Sequence, residues 1–95
     1  MKEFITDIKC LIEEITDWLY KQRIDEGYSR LILLLDKMSE FIIYIEKENV
    51  DGRYDDAIIS LKNNLNECLG AMESNDIVLL ADILQYDLVE VLEGM

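Results

Sequence analysis

The apolar positions of this chain fall on helical spacing in four successive segments. In the first, Phe4, Ile8, Leu11, Ile15 and Trp18 recur at steps of four and three, which places them on one face of an α-helix. Ile5, Ile12 and Leu19 widen that stripe, and Glu3, Asp7, Glu14 and Asp17 lie opposite, so the spacing predicts a helix to about Tyr20. The second segment keeps the same alternation through Ile24, Tyr28, Leu31, Leu35, Met38, Ile42 and Ile45. Its dense patches at 31–35 and 41–45 would also suit short strands, but the segment length and the helical flanks favour helix. Gly27 weakens the helix near its start, so the boundary between the first two helices lies within residues 21–27.

The clearest break is Asn49-Val50-Asp51-Gly52, with turn chemistry at Asp-Gly and Asp51 as a candidate cap for the next helix. That third helix carries Tyr54, Ile58, Leu61, Leu65, Cys68 and Met72. Gly70 lies inside it, where glycine either costs about 1 kcal/mol against alanine or admits a close neighbour. Ser74-Asn75-Asp76 forms the second clear break. Each of these residues is a competent N-cap, and Asp76 suits the positive end of a helix. The fourth helix runs from there to about Glu93, with Gly94 as its stop.

That last segment is apolar around most of its circumference. In IVLLADILQYDLVEVL, residues 77–92, only Asp82, Gln85, Asp87 and Glu90 interrupt the pattern. A helix at the edge of a small bundle needs one apolar stripe. Ile77, Leu80, Leu84, Leu88 and Val91 are therefore expected to face the protein's own core. Val78, Ile83, Tyr86 and Val89, together with Tyr44 off the main stripe of the second helix, are candidates for a second, partner-binding surface. On this reading, replacing Ile83 by Lys breaks association and spares the fold. Short connections imply antiparallel neighbours, hence an all-α, up-down-up-down four-helix bundle spanning residues 1–95 as a single domain. The alternative is an extended helical hairpin completed by dimerisation, which applies if the first two helices are continuous.

Composition narrows the function classes. The 95 residues are 51% apolar, contain no Pro, and show no apolar run long enough to span a membrane or to serve as a signal-peptide core, so a cytoplasmic protein is expected. The net charge is −12, and it is uneven: residues 74–95 carry five acids and no base. This opposes binding to nucleic acid or to an anionic membrane and permits binding to basic partners. The absence of His removes the commonest general base and the Ser-His and Cys-His pairs. Cys10 and Cys68 form no zinc spacing, and reduced thiols are expected in the cytosol. Neither a phosphate loop nor an EF-hand loop is present. Glu13-Glu14 and Asp55-Asp56 diverge around their helices, and Asp82, Gln85 and Glu93 read as a wet stripe with Asp87 and Glu90 beside it. No catalytic residue, cofactor or metal is therefore expected. The aromatic residues Trp18, Tyr20, Tyr28, Tyr44, Tyr54 and Tyr86 could carry interface energy; Tyr28 and Tyr54 sit on core-phase positions, leaving Tyr44 and Tyr86 as the better surface candidates.

The string from Asn75 to Leu88, NDIVLLADILQYDL, resembles a C-terminal signature, N-D-x-V-L-L-A-D-x-L-x-Y-E-x, of uncharacterised small acidic helical proteins from Gram-positive bacteria. It departs from the signature at Asp87, where Glu is expected. The resemblance implies a bacterial cytosolic protein and supplies no activity. A looser analogy in size, acidity and helical content runs to small export chaperones, including flagellar ones. The leading expectation is a non-enzymatic protein–protein interaction module. It would self-associate, as a homodimer, or hold an amphipathic partner segment through surplus apolar helix surface. An acidic decoy that covers a basic protein surface is the alternative, and an enzyme acting through carboxylates or Cys comes last.

Overall fold

The computed structural model describes residues 2–95. Helix α1 spans Lys2–Tyr20, α2 spans Ile24–Glu48 and α3 spans Asp55–Glu73. A fourth helix, α4, covers residues 77–93 and is continuous but not uniform. It opens as α-helix over Ile77–Asp82, widens into a π-helical turn over Ile83–Leu88 and closes as α-helix over Val89–Glu93. The protein is an all-α bundle in which α1 packs on α2 and α4, and α3 packs on α2 and α4. The long axis, 43 Å, is set by the 25 residues of α2.

The helix ends explain where the chain turns. Helices α1 and α2 are separate, because the chain reverses at Gln22, whose φ of 62° lies in the left-handed region. The Arg23 N–H donates to the Trp18 carbonyl and the Gln22 N–H to the Leu19 carbonyl, the paired bonds of a Schellman stop. This excludes the extended-hairpin alternative. Asn75 (φ 53°) ends α3 in the same way, with Asp76 N–H on Ala71 O and Asn75 N–H on Met72 O. Asp76 then caps α4 by accepting the Leu79 N–H at 3.1 Å.

The α2–α3 connection differs from the sequence expectation. Asp51 does not cap α3; its carboxylate accepts the N–H of Arg53 inside the loop. Among the described residues no side chain caps α3; Asn49, at the end of α2, braces the loop instead, accepting the Tyr54 N–H at 2.9 Å and donating to the Asp55 carboxylate at 2.6 Å. Gly52, at φ +80°, supplies the left-handed turn between them.

One contiguous core runs along the bundle axis. Ile8, Ile12, Ile15 and Leu19 from α1 meet Leu31, Leu34, Met38, Phe41 and Ile45 from α2. From the other side come Ile58, Leu61, Cys68 and Ala71 of α3 and Leu80, Leu84, Leu88 and Leu92 of α4. The buried face of α1 is thus centred one position beyond the expected stripe, with Phe4, Leu11 and Trp18 half-buried at its edge. Phe4 bridges this edge to Phe41 and Tyr44, with ring centroids at 5.4 Å in each case.

The close helix approach occurs at Gly27, not Gly70. A Cβ at Gly27 would lie 2.8 Å from Leu19 Cδ2, whereas one at Gly70 would meet nothing within 4 Å. Of the two readings of Gly70, close approach is excluded and the plain helix cost remains, because that position faces solvent.

The π turn sets which face of α4 is buried. Four residues of α-helix overshoot a full turn by about 40°, so the steps 80-84-88-92 would drift about 120° around a regular helix. A π turn, bonded i→i+5, rotates less per residue and absorbs one extra position. Leu80, Leu84, Leu88 and Leu92 consequently all face the core, while Val91, expected there, is only half-buried.

Candidate functional site: an apolar groove at one end of the bundle

The α1–α2 corner and the start of α4 come together at the same end of the bundle, and an apolar groove of about 440 Å³ opens between them. Its floor is Leu19 and Ala81, both buried. Its walls are Tyr20, Ile24, Ile77 and Val78, and Gln22 of the Schellman turn stands at its edge. The small Ala81 side chain, set between larger neighbours, leaves the space. Val78 is 72% exposed and Tyr20 60%, so this surface is apolar and open to solvent. Tyr20 is held in place by its hydroxyl, which donates to Gln85 Oε1 at 2.6 Å and thereby ties the groove wall to the π turn.

The groove's borders carry charge of two kinds. On the α1–α2 side, Lys21 pairs with Asp17 at 2.9 Å and Arg23 with Glu26 at 2.7 Å. Both cations also lie over the Trp18 ring, 5.7 and 5.6 Å from its centroid. The hydrogen bond from Arg23 holds the Glu26 carboxyl below its ordinary range and raises the guanidinium in turn. On the other side Asp76 and Asp82 adjoin the lining residues Ile77 and Ala81 along the chain, with Glu73 at the end of α3, and from asparagine 63 to the last residue the chain has no Lys or Arg.

The five partner-binding candidates do not form one surface. Val78 is in the groove, and Tyr86 is 60% exposed on the outer side of the π turn. Tyr44 is half-buried against Phe4 and borders a more polar depression at the opposite end of the bundle, beside Val50, Arg53 and Tyr54. Val89 is half-buried against the core and lines a smaller α1–α4 cleft with Lys9, Thr16 and Gln85. Ile83 is not on the surface: it is 2% exposed and part of the core. It lies three residues after buried Leu80 and just before buried Leu84, so ordinary helical spacing already puts it on the core-facing side, and its assignment to a second surface is corrected. Asp82, Gln85, Asp87, Glu90 and Glu93 are all exposed, as a wet stripe requires.

Two groove residues have no distinct signal in the sequence. Ile24 reads there as part of the apolar stripe of the second helix, and Tyr20 as one of several aromatics. The signal is weak because the groove joins residues 19–24 to residues 77–81, more than fifty positions apart.

Among the described residues, no group of three or more His, Cys, Asp or Glu side chains converges on a possible metal position. Cys10 is exposed and Cys68 buried, both as free thiols. Burial pushes the Cys68 thiol up from 9.0 to about 12, with the Glu67 and Asp87 carboxylates adding to the effect. Among the described residues no helix is long and apolar enough to cross a membrane.

No curated protein and no solved structure matches the chain. A family profile described as Domain of unknown function (DUF8042) matches residues 1–95, and the chain therefore belongs to that family.

Proposed function

We propose that this protein is a non-enzymatic protein–protein interaction module whose binding element is the end groove. The carrying observation is the concentration of open apolar surface there: Tyr20, Ile24, Ile77 and Val78 surround a floor of Leu19 and Ala81, contributed by three helices. Open apolar patches on a small domain mark sites of interaction. Among the described residues there is no sheet edge to extend, so a partner segment is best received as an amphipathic helix laid into a groove. The C-terminal string ending at Leu88 supports a bacterial origin, and the composition supports a cytoplasmic location. The reading agrees with the export-chaperone analogy in kind, since such chaperones hold apolar segments.

A second reading is self-association along the outer side of α2 and α3. Ile32 and Ile43 of α2 and Ile59 and Leu69 of α3 are about half exposed. Glu46 and Lys62, one turn beyond Ile43 and Ile59 respectively, pair at 3.4 Å across that seam. The net charge of −12 on each copy opposes such a dimer.

Absolute mass by light scattering, over a concentration series at low and high salt, separates the two. The proposal expects a monomer in both conditions. A salt-resistant dimer dissociated by Ile43→Lys would replace it with the second reading. The acidic-decoy alternative predicts binding to basic proteins that ignores Val78 and vanishes as salt rises.

A further inference from the structure

The charges beside the groove say what its occupant should carry. The cations on the α1–α2 side, Lys21 and Arg23, are each engaged by their own carboxylate and by the face of Trp18, so they are poorly placed to receive a partner's acid. The acids are differently situated. Asp25 adjoins Ile24, Asp76 adjoins Ile77, Asp82 adjoins Ala81, and Glu73 ends the helix that leads into α4. None of these four is in an ion pair among the described residues, although Asp76 accepts the Leu79 N–H as a cap. The asymmetry extends to the whole α3–α4 half. Residues 55–95 carry nine acids and one base, Lys62, which is itself paired with Glu46, so eight of the twelve net negative charges reside there.

We infer that the groove's occupant is a short cationic amphipathic helix from another protein, its apolar side chains entering over Ala81 between Ile24 and Val78 and its Lys or Arg residues reaching Asp25, Glu73 and Asp82. This rests on the groove being a binding site. It adds the sign of the partner's charge and excludes two other occupants. A second copy would set one acidic border against another, and an anionic lipid surface would be repelled. The groove's volume is near the lower end for ligand pockets, room for a few side chains of one helix face.

The test uses the full chain and three synthetic peptides of equal length. The first has Leu at i, i+4, i+7 and i+11 with Lys elsewhere. The second keeps the Leu positions and replaces Lys by Glu. The third has the composition of the first with its Leu residues scattered. Binding is read by calorimetry, and its location by backbone amide shifts. The first peptide should bind and shift residues 19–24 and 77–82. Val78→Gln should weaken it by roughly tenfold or more with the unfolding midpoint unchanged, as expected for loss of one well-buried apolar contact. Asp25→Asn with Asp82→Asn should weaken it several-fold and reduce its salt dependence. If the Glu peptide binds as tightly at the same place, the groove stands and the charge inference falls. If the scattered Lys peptide binds as well as the first and Val78→Gln has no effect, both fall in favour of a diffuse acidic surface. Failure of all three peptides on a monomer overturns the groove reading itself. A dimer that Val78→Gln dissociates identifies the occupant as a second copy and overturns the inference.

Discussion

Deleting Tyr86 should leave the protein folded, while inserting one residue at the same place should come close to unfolding it. The reasoning rests on the π turn at Ile83–Leu88, which holds one position more than a regular helix would need to bring Leu88 and Leu92 into the core. Removing Tyr86, 60% exposed and without a side-chain hydrogen bond to another described residue, lets 83–88 close as ordinary α-helix with everything downstream in unchanged register. The expected change in unfolding free energy is within about 1 kcal/mol, the usual range for surface changes that create no cavity. An Ala inserted after Gln85 rotates the rest of α4 by about 100°. Leu88 and Leu92, 2% and 1% exposed, would then leave the core. Loss of a buried Leu side chain costs about 2–5 kcal/mol. Two such losses approach the whole stability of a domain this small, on the order of 5–10 kcal/mol. Urea unfolding followed by circular dichroism measures both variants. The register argument is refuted if the deletion is the more damaging of the two, or if both are tolerated equally.

Other consequences are simpler. Ile83→Lys buries a charge without a partner at a 2% exposed site, so it should destabilise by about 3 kcal/mol or more and is no probe of association. Gly70→Ala should stabilise by about 1 kcal/mol, because a Cβ there meets nothing, whereas Gly27→Val should destabilise by about 1–3 kcal/mol through Leu19; thermal melts compare the two. Tyr28→Phe should hold or raise stability by up to about 1 kcal/mol, since the buried hydroxyl has no hydrogen-bond partner among the described residues. The Cys68 thiol, raised from 9.0 to about 12 in the fold, keeps its proton where the unfolded chain loses it. Its contribution is therefore intact below pH 9 and declines as pH rises from 9.0 toward 12; Cys68→Ala should flatten that part of the profile, and a thiol reagent at neutral pH should modify Cys10 first.

Much of the bundle is legible in the chain because its helices are bounded by local chemistry. Gly52 and Asp76 mark their turns through backbone freedom and capping, and both act in the structure as their types suggest. The failures begin where a local pattern has two solutions. Glycine's lack of a side chain serves either a close approach or nothing, and only the packing of Leu19 distinguishes Gly27 from Gly70. The π turn has no residue signature. In an almost uniformly apolar helix, either register puts Leu or Val inward, so periodicity alone favours Val91 over Leu92; Ile83, three residues after Leu80, belongs inside in both registers. Tertiary packing settles it, since α1 and α3 both abut the π turn. The groove is illegible for another reason: no one-dimensional pattern joins Tyr20 to Val78.

The same packing accounts for the discrepancy that the sequence raises. A last helix apolar nearly all round suggests a large surplus surface. The core consumes much of it: Ile83 and Leu84 follow Leu80 inward at ordinary helical spacing, and the π turn keeps Leu88 and Leu92 on the same face. The residues left open on α4 ahead of that turn are Val78 and Leu79, with Val78 beside the one corner where α1 and α2 also expose Tyr20 and Ile24. A partner that met only this apolar spot would gain little specificity, because a groove of this size rejects few aliphatic side chains. On the proposed reading the acids beside it supply discrimination at longer range. Exposed charges act over roughly 8 Å at physiological salt, enough to favour a basic segment in the encounter and to turn away a second copy before any apolar contact forms. On the proposed reading the uneven distribution of charge in this chain matters more to selectivity than the total: the four carboxylates beside the groove that are unpaired among the described residues would orient a partner, and the rest of the −12 would keep copies apart.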